Sequence, residues 1–107
     1  MKLLFLNFIL AAFFALSNTS SNPISPDGYY KGIKLCGDVM FVESGEDFRV
    51  RVVDSYPDLK VRIVDRPASE IGEWRLVKSH ADFKVRIVKS FADFDIRYVT
   101  SFPGVER

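Results

Sequence analysis

The chain is poor in the residues that most often carry chemistry or covalent bracing. Cys36 is its only cysteine and His80 its only histidine among 107 residues. A single cysteine excludes an intramolecular disulfide, and we interpret Cys36 as a thiol packed as a small apolar group, with an intermolecular bridge or a reactive thiol as the alternatives. One histidine with one cysteine cannot form a zinc site without several carboxylates, and neither has an evident set of catalytic partners. The sequence therefore predicts no metal, no cofactor and no catalytic constellation.

An excess of charge of one sign is also missing. The chain has 15 Lys and Arg residues against 14 Asp and Glu residues, and loss of Lys2 with a signal peptide makes the two numbers equal. A dedicated polyanion binder needs a basic excess. We therefore expect no nucleic-acid partner.

One long apolar run is present, from Leu3 to Leu16, and it is interrupted only by Asn7. Lys2 before the run and small residues after it fit a secretory signal peptide at 1–17. The run is shorter than the roughly 20 residues of a spanning helix, so we expect no membrane span after cleavage, with an uncleaved anchor as the alternative. Residues 18–27 are interpreted as a flexible leader and 28–107 as the folded domain. The protein is expected to be exported, to a periplasmic or extracellular location.

Helical periodicity is missing beyond the apolar run, and a short tandem repeat replaces it. Four eleven-residue units are clear: DFRVRVVDSYP (47–57), DLKVRIVDRPA (58–68), DFKVRIVKSFA (82–92) and DFDIRYVTSFP (93–103). Two degenerate units share their frame: CGDVMFVESGE (36–46) and IGEWRLVKSHA (71–81), the second preceded by a two-residue insertion at 69–70. A unit this short cannot bury its own apolar face, so the units must fold together.

Each unit alternates apolar and polar residues as a half-buried strand does. In the first clear unit, Phe48, Val50 and Val52 share one face, while Arg49 and Arg51 share the other. Turn-forming residues end each unit. We expect an all-β domain of about seven short strands wrapped around one core, centred near residues 31, 40, 50, 61, 75, 85 and 96.

Two arrangements of these strands compete. A parallel, in-register solenoid stacks the arginines at the fifth position of the units, and like charges about 5 Å apart repel by roughly 1 kcal/mol in water. Antiparallel or wrapped pairing places acidic and basic side chains opposite each other instead. Short connections also suit antiparallel neighbours better than parallel crossovers. We therefore favour a wrapped β fold of mixed register over a plain solenoid.

The string from Asp82 to Val105, DFKVRIVKSFADFDIRYVTSFPGV, resembles the short bacterial proteins of the 7(1) septoil knot family. The interruption at Gly72-Glu73-Trp74 is similar as well, and the resemblance extends over about residues 34–105. It implies a small all-β domain whose chain winds into a seven-crossing torus-type knot. The family brings no established activity and no catalytic residues.

The arginines at the fifth position are the main candidates for binding. They are Arg51, Arg62, Arg75, Arg86 and Arg97. As a ladder they can grip phosphate, sulfate or glycan carboxylates in bidentate fashion. As structure they are the solvated face of the strands, which discourages edge-to-edge aggregation. The structural interpretation is favoured because the chain lacks a basic excess.

Other polar residues offer weaker signals. Asp93 and Asp95 lie on one face of a strand, where they can serve a hydrolase or bind calcium, but the glycine-rich acidic loop typical of calcium sites is missing. His80 takes a place that an aromatic residue holds in other units, and we interpret it as a ring packed on a turn. Trp74 takes an inward position and is expected in the core.

Three functions are open at this point. We favour a non-enzymatic exported β-repeat module with a structural or binding role, acting through protein or glycan surface contacts. The alternatives are a glycan or polyanion binder that acts through the arginine face and a small carboxylate-dependent hydrolase.

Overall fold

The computed structural model describes residues 22–106, which contain nine β-strands and no helix. The strands are β1 (Tyr29–Tyr30), β2 (Ile33–Lys34), β3 (Gly37–Phe41), β4 (Phe48–Val52), β5 (Leu59–Val64), β6 (Glu73–Leu76), β7 (Phe83–Ile87), β8 (Phe94–Tyr98) and β9 (Gly104–Val105). Over this range, no helix is long and apolar enough to cross a membrane. The expected all-β class is confirmed, and the signal peptide expected at 1–17 lies outside the described residues.

Six of the strands, β3 to β8, form a closed barrel. Their order is β6-β3-β7-β4-β8-β5, and a further pairing of β5 with β6 closes the ring. All the pairings within the ring are parallel, while β9 joins it antiparallel, beside β5. The preference for antiparallel neighbours was therefore wrong for the barrel. Short connections suffice because each of them, apart from the one between β5 and β6, passes over a single strand before the chain re-enters the sheet.

The register shifts at each step around the barrel, and this stagger separates like charges. Third-position residues of one unit lie opposite fifth-position residues of its neighbour, as with Asp95 opposite Arg51. The fifth-position arginines consequently do not stack in a column, which was the objection to a parallel arrangement. Some basic pairs remain, such as Arg49 opposite Arg86.

The order of the strands along the chain differs from their order around the barrel. β3, β4 and β5 take alternate places in the ring, and β7 and β8 then fill the gaps between them. The chain thus starts a second lap around the same core. The connection from β5 to β6 is the exception, because these strands are direct neighbours. The inserted residues at 69–70 lie in this connection, where the first lap passes into the second.

Five connections share one design, and we call them arches: residues 42–47, 53–58, 77–82, 88–93 and 99–103. In the first arch, Val42 N donates to the carbonyl of Val85 (2.9 Å) and Asp47 N donates to the carbonyl of Lys84 (2.9 Å). Adjacent carbonyls of a strand point to opposite edges, so the arch passes from one edge of β7 to the other. It crosses the outer face, because the inner face of β7 is buried in the core. The other arches cross β8, β3, β4 and β5 in turn.

The aspartate that ends each of four arches closes a two-bond clasp. The main-chain N–H of Asp93 donates to the carbonyl of Arg49 (2.7 Å), and one carboxylate oxygen of Asp93 accepts from the N–H of Arg49 (2.7 Å). Asp47, Asp58 and Asp82 form the same clasp on Lys84, Asp95 and Asp38. The repeated aspartate therefore fixes an arch to the strand beneath it, which is more than the turn-forming role its position suggested.

The barrel interior is filled in layers by alternate residues of the units. The fourth position supplies six side chains with no solvent exposure: Val39, Val50, Val61, Trp74, Val85 and Ile96. The second position supplies a layer dominated by aromatic rings, with Phe48 and Phe83 centred 5.3 Å apart. Val52, which was expected to share the buried face, is 42% exposed because it lies at the end of its strand. Trp74 is in the core as its inward position predicts.

The segment before β3 covers one end of this core. Tyr30 packs edge-on against Phe48 and Phe94, with ring centroids 5.8 Å and 5.2 Å apart. Ile24 is 2% exposed, so folded structure begins before the boundary expected at residue 28. The strand expected near Lys31 is instead a turn between β1 and β2, because Lys31 and the glycine after it have positive φ angles (+47° and +84°) typical of a two-residue hairpin.

Candidate functional site

The apex of each arch carries one residue with a left-handed backbone. The φ angles are +78° at Gly45, +54° at Tyr56, +56° at His80, +59° at Phe91 and +55° at Phe102. Glycine adopts this conformation without steric cost, whereas for other L-residues it costs roughly 1–2 kcal/mol. Gly45 is therefore the residue that the local geometry favours, and the aromatic residues at the same place oppose local stability.

Three of these residues are aromatic and almost fully exposed. Tyr56 is 93% exposed, Phe91 88% and Phe102 83%, so their rings gain little from packing within the domain. Single exposed apolar residues are normal on protein surfaces. Here, however, exposure coincides three times with a left-handed backbone, and strained backbone clusters at functional sites. We call these three the aromatic arches, residues 53–58, 88–93 and 99–103, and take them as the candidate functional site.

The aromatic arches are neighbours on the barrel. The arch of Phe91 crosses β4, that of Tyr56 crosses β8 and that of Phe102 crosses β5, and these three strands are consecutive in the ring. The arches of Gly45 and His80 cross β7 and β3, further along the ring. Because the strands curve around a closed barrel, the three aromatic arches face different sides of it. Together they form a convex band over about half of the circumference.

Each aromatic arch is held firmly at both ends. In the arch of Tyr56, Val53 N donates to the carbonyl of Ile96 (2.8 Å) and Asp58 N donates to that of Asp95 (2.8 Å). The Asp58 carboxylate also accepts from Asp95 N (2.9 Å), and Pro57 after the apex is buried. A ring presented on such an arch loses little backbone entropy when it binds a partner, and this favours recognition.

Comparison with known protein families agrees with the interleaved barrel. A family model for the 7(1) septoil knot domain matches residues 32–106, nearly the whole described range. The chain belongs to the 7(1) septoil knot domain family. The resemblance inferred from the tandem units is thereby confirmed. A comparison with curated proteins gives no match.

In this septoil knot domain, the candidate arginines lie on the outer face and are engaged by the protein itself. Arg51 forms a bidentate pair with Asp95, with both N···O distances at 3.0 Å. Arg75 forms the same pair with Asp38 at 2.8 Å and 3.0 Å, and its guanidinium lowers the pKa of the Asp38 carboxyl. Bidentate pairing uses the edge of the guanidinium that a phosphate or sulfate would need.

The remaining candidate arginines are bound less uniformly. Arg62 pairs with the buried carboxylate of Glu73. Arg97 Nη1 donates to the carbonyl of Asp54 at 3.5 Å, and Arg86 Nη1 lies 3.9 Å from a carboxylate oxygen of Glu46. Arg86 and Arg97 are thus the two members of the series that keep the longest contacts.

The carboxylates considered for a hydrolase or a calcium site already accept hydrogen bonds. Asp93 belongs to the clasp on Arg49, and the two carboxylate oxygens of Asp95 accept hydrogen bonds from Nε and Nη2 of Arg51. These contacts use the oxygen atoms that a cation or a substrate proton would need.

The single histidine and the single cysteine have unremarkable surroundings. His80 lies at an arch apex and is exposed, so the expectation of a ring packed on a turn was wrong. Cys36 is a free, half-buried thiol, and burial is the main cause that raises its pKa. A thiol with a raised pKa stays protonated near neutrality and reacts slowly.

The most buried charged group of residues 22–106 was not predicted from the sequence. Glu73 is fully buried, although it holds a third position that faces outward in other units. The longer connection from β5 to β6 covers it: Arg66 forms an ion pair with its carboxylate, and the main-chain N–H of Ser69 donates to it at 3.0 Å. Arg62, on the neighbouring strand β5, forms a second ion pair with the same carboxylate. These contacts, with Arg66 the largest, hold the pKa of Glu73 far below its ordinary value. The available signal was an acidic residue three positions after the insertion at 69–70.

Proposed function

We propose that this chain is an exported, non-enzymatic binding module whose contact surface is formed by the aromatic arches. The observation that carries the proposal is the coincidence of near-complete exposure with a left-handed backbone at Tyr56, Phe91 and Phe102. Large aromatic side chains supply rigid contact area and dominate recognition surfaces. Their cost to the free protein is compensated only when a partner covers them.

The barrel supports this role as a scaffold. Strands of the second lap lie beneath arches of the first, and strands of the first lap lie beneath arches of the second. Unfolding must therefore withdraw strands from under connections that are hydrogen-bonded to both edges of those strands, which raises the kinetic barrier. Slow unfolding suits an exported domain that has no disulfide, because export exposes it to proteases.

Co-sedimentation with cell-envelope fragments of the producing organism tests the binding role. We expect the purified secreted chain to pellet with the fragments, and a variant with Tyr56→Asn, Phe91→Asn and Phe102→Asn to stay in the supernatant. Asparagine tolerates the left-handed conformation, so the variant keeps its fold. His80→Asn changes the corresponding apex on another arch and is the matched control. Equal pelleting of the triple variant and the wild type would contradict the proposal.

Binding of polyanions is the second candidate, and one observation favours it. The side chain of Arg86 is 45% exposed, and Arg97 is held by one long contact to a carbonyl. The guanidinium groups of both residues can therefore still face an anion. Retention on heparin at low salt, lost in the Arg86→Ala, Arg97→Ala double variant, would support this function. Passage of the wild type through the column without retention would exclude it.

A further inference from the structure

The chemistry of the aromatic arches is uniform. At each apex the aromatic residue follows a serine, giving Ser55-Tyr56, Ser90-Phe91 and Ser101-Phe102. The three serines are exposed. The band therefore alternates apolar ring faces with hydroxyl groups that donate and accept hydrogen bonds. This combination fits a partner that itself carries apolar faces and many hydroxyl groups.

Charge is balanced along the same band. Asp54 and Lys89 are the exposed charged residues next to two of the apices, and Thr100 takes the corresponding place in the third arch. The bidentate pair of Arg51 with Asp95 neutralises the strand surface between two of the arches. Arg97 also lies in this band, where it contacts the carbonyl of Asp54 in the arch of Tyr56. Acidic and basic groups are thus both present, and a surface with little net charge is complementary to an uncharged partner.

The convex shape of the band favours a chain-like partner over a flat surface. The three arches cross consecutive strands of a closed ring and therefore face different sides of the barrel, so a flat surface cannot cover all three equally. A lipid surface can reach one or two of the rings, whereas a flexible polymer can bend across all three.

On these grounds we infer that the aromatic arches bind an uncharged polysaccharide chain, with a sugar ring stacked on each of Tyr56, Phe91 and Phe102. This inference rests on the proposed function and adds the chemical class of the partner. Apolar C–H faces of the sugars lie against the aromatic faces, and the neighbouring serines exchange hydrogen bonds with sugar hydroxyls directly or through water. Repeated contacts on one polymer raise the apparent affinity above that of a single sugar, since the second and third contacts form within one complex.

Isothermal titration calorimetry with soluble hydroxyethylcellulose, glycol chitin, arabinoxylan and amylose, which are flexible uncharged chains, tests the inference with the full secreted chain. We expect binding to at least one of these polymers, and we expect it to persist in about 1 M NaCl, because screening acts only on charged contacts. Each single change, Tyr56→Asn, Phe91→Asn or Phe102→Asn, should weaken binding about threefold to tenfold, in the range of one aromatic stacking contact. His80→Asn should leave binding unchanged.

Several outcomes would overturn the inference. One is no binding to any of the four polymers, while envelope fragments still bind through the aromatic arches; the proposed function then stands and the partner class is wrong. Another is polysaccharide binding that the triple variant retains. A third is pelleting with vesicles of phosphatidylcholine and phosphatidylglycerol that depends on the three rings, which would assign the band to a lipid surface. Failure of envelope binding itself would instead contradict the proposed function.

Discussion

Replacing the apex aromatics should stabilise the domain, even though it removes large apolar side chains. Tyr56, Phe91 and Phe102 have φ angles of +54° to +59°, and their side chains are 83% exposed or more. Asparagine tolerates the left-handed conformation better than an aromatic residue does, and almost no packing is lost. We expect each change to asparagine to raise the free energy of unfolding by about 0.5–1 kcal/mol, and the triple variant by about 1.5–3 kcal/mol.

Equilibrium unfolding in guanidinium chloride measures this effect. Trp74 is the only tryptophan and has no solvent exposure, so its fluorescence reports the opening of the core. Incubation must continue until the unfolding and refolding curves coincide, because the interleaved strands slow both processes. The midpoint should move to higher denaturant with an unchanged slope. For a domain of this size, the melting temperature of the triple variant should rise by on the order of 10 °C.

The matched controls are Lys89→Asn and Thr100→Asn, which change exposed residues of the same arches away from the apex. These changes should shift stability by about 0.5 kcal/mol or less. A triple variant that is less stable than the wild type would refute the reasoning, since it would mean that the rings contribute packing to the folded state. The same result would remove the argument that these residues are retained for binding.

Three further predictions follow from the fold. Glu73→Gln should lower the melting temperature by on the order of 10 °C or more at neutral pH, because two arginines lose the charge of their partner. Because the folded-state pKa of Glu73 is lowered, its contribution to the free energy of unfolding is complete above the unfolded pKa of about 4.3 and is lost as the pH falls below that value. The wild type should therefore lose more stability than the variant between about pH 5 and pH 2. Parallel curves of stability against pH for the two proteins would count against this role of Glu73. Gly72→Ala should destabilise the domain far more than Gly45→Ala when both are measured by chemical denaturation: both backbones are left-handed, but a Cβ at Gly72 would lie 2.5 Å from a main-chain oxygen, whereas a Cβ at Gly45 meets nothing within 4 Å. Alkylation of Cys36 by iodoacetamide at pH 7.5, followed by mass spectrometry, should be slow in the native domain and fast in denaturant, and equal rates would show an accessible thiolate.

The aromatic arches illustrate why a repeat predicts a fold more readily than a site. In the five units that lead into an arch, the tenth position holds glycine, histidine or an aromatic residue, and the sequence alone suggested that His80 packs as a ring on its turn. Whether a ring at a turn packs inward or faces solvent depends on the backbone conformation and on the strand beneath the arch, and the identity of that strand is not encoded locally. Gly45 was the available signal for a left-handed apex, because the corresponding positions of the other arches carry larger side chains.

Glu73 shows the same limit for a buried charge. Strand alternation predicts that an acidic residue at an outward position is exposed to solvent, and it is the only local guide to burial. Its burial arises from the connection between β5 and β6, which folds back and supplies Arg66 and the N–H of Ser69. A carboxylate is stable there only because these partners replace its hydration.

The sequence by itself determined the strand units, their inward faces and the all-β class, because alternation of period two is a local property of an extended chain. It also determined that the units fold together, since one unit has too little apolar surface to offset its loss of conformational entropy. Only the tertiary structure decided that the strands are parallel, that second-lap strands lie between those of the first, and that arches cross them on the outside. Those features depend on hydrogen bonds between residues about forty positions apart, such as Arg49 with Asp93, and no local pattern encodes which strand becomes the neighbour of which.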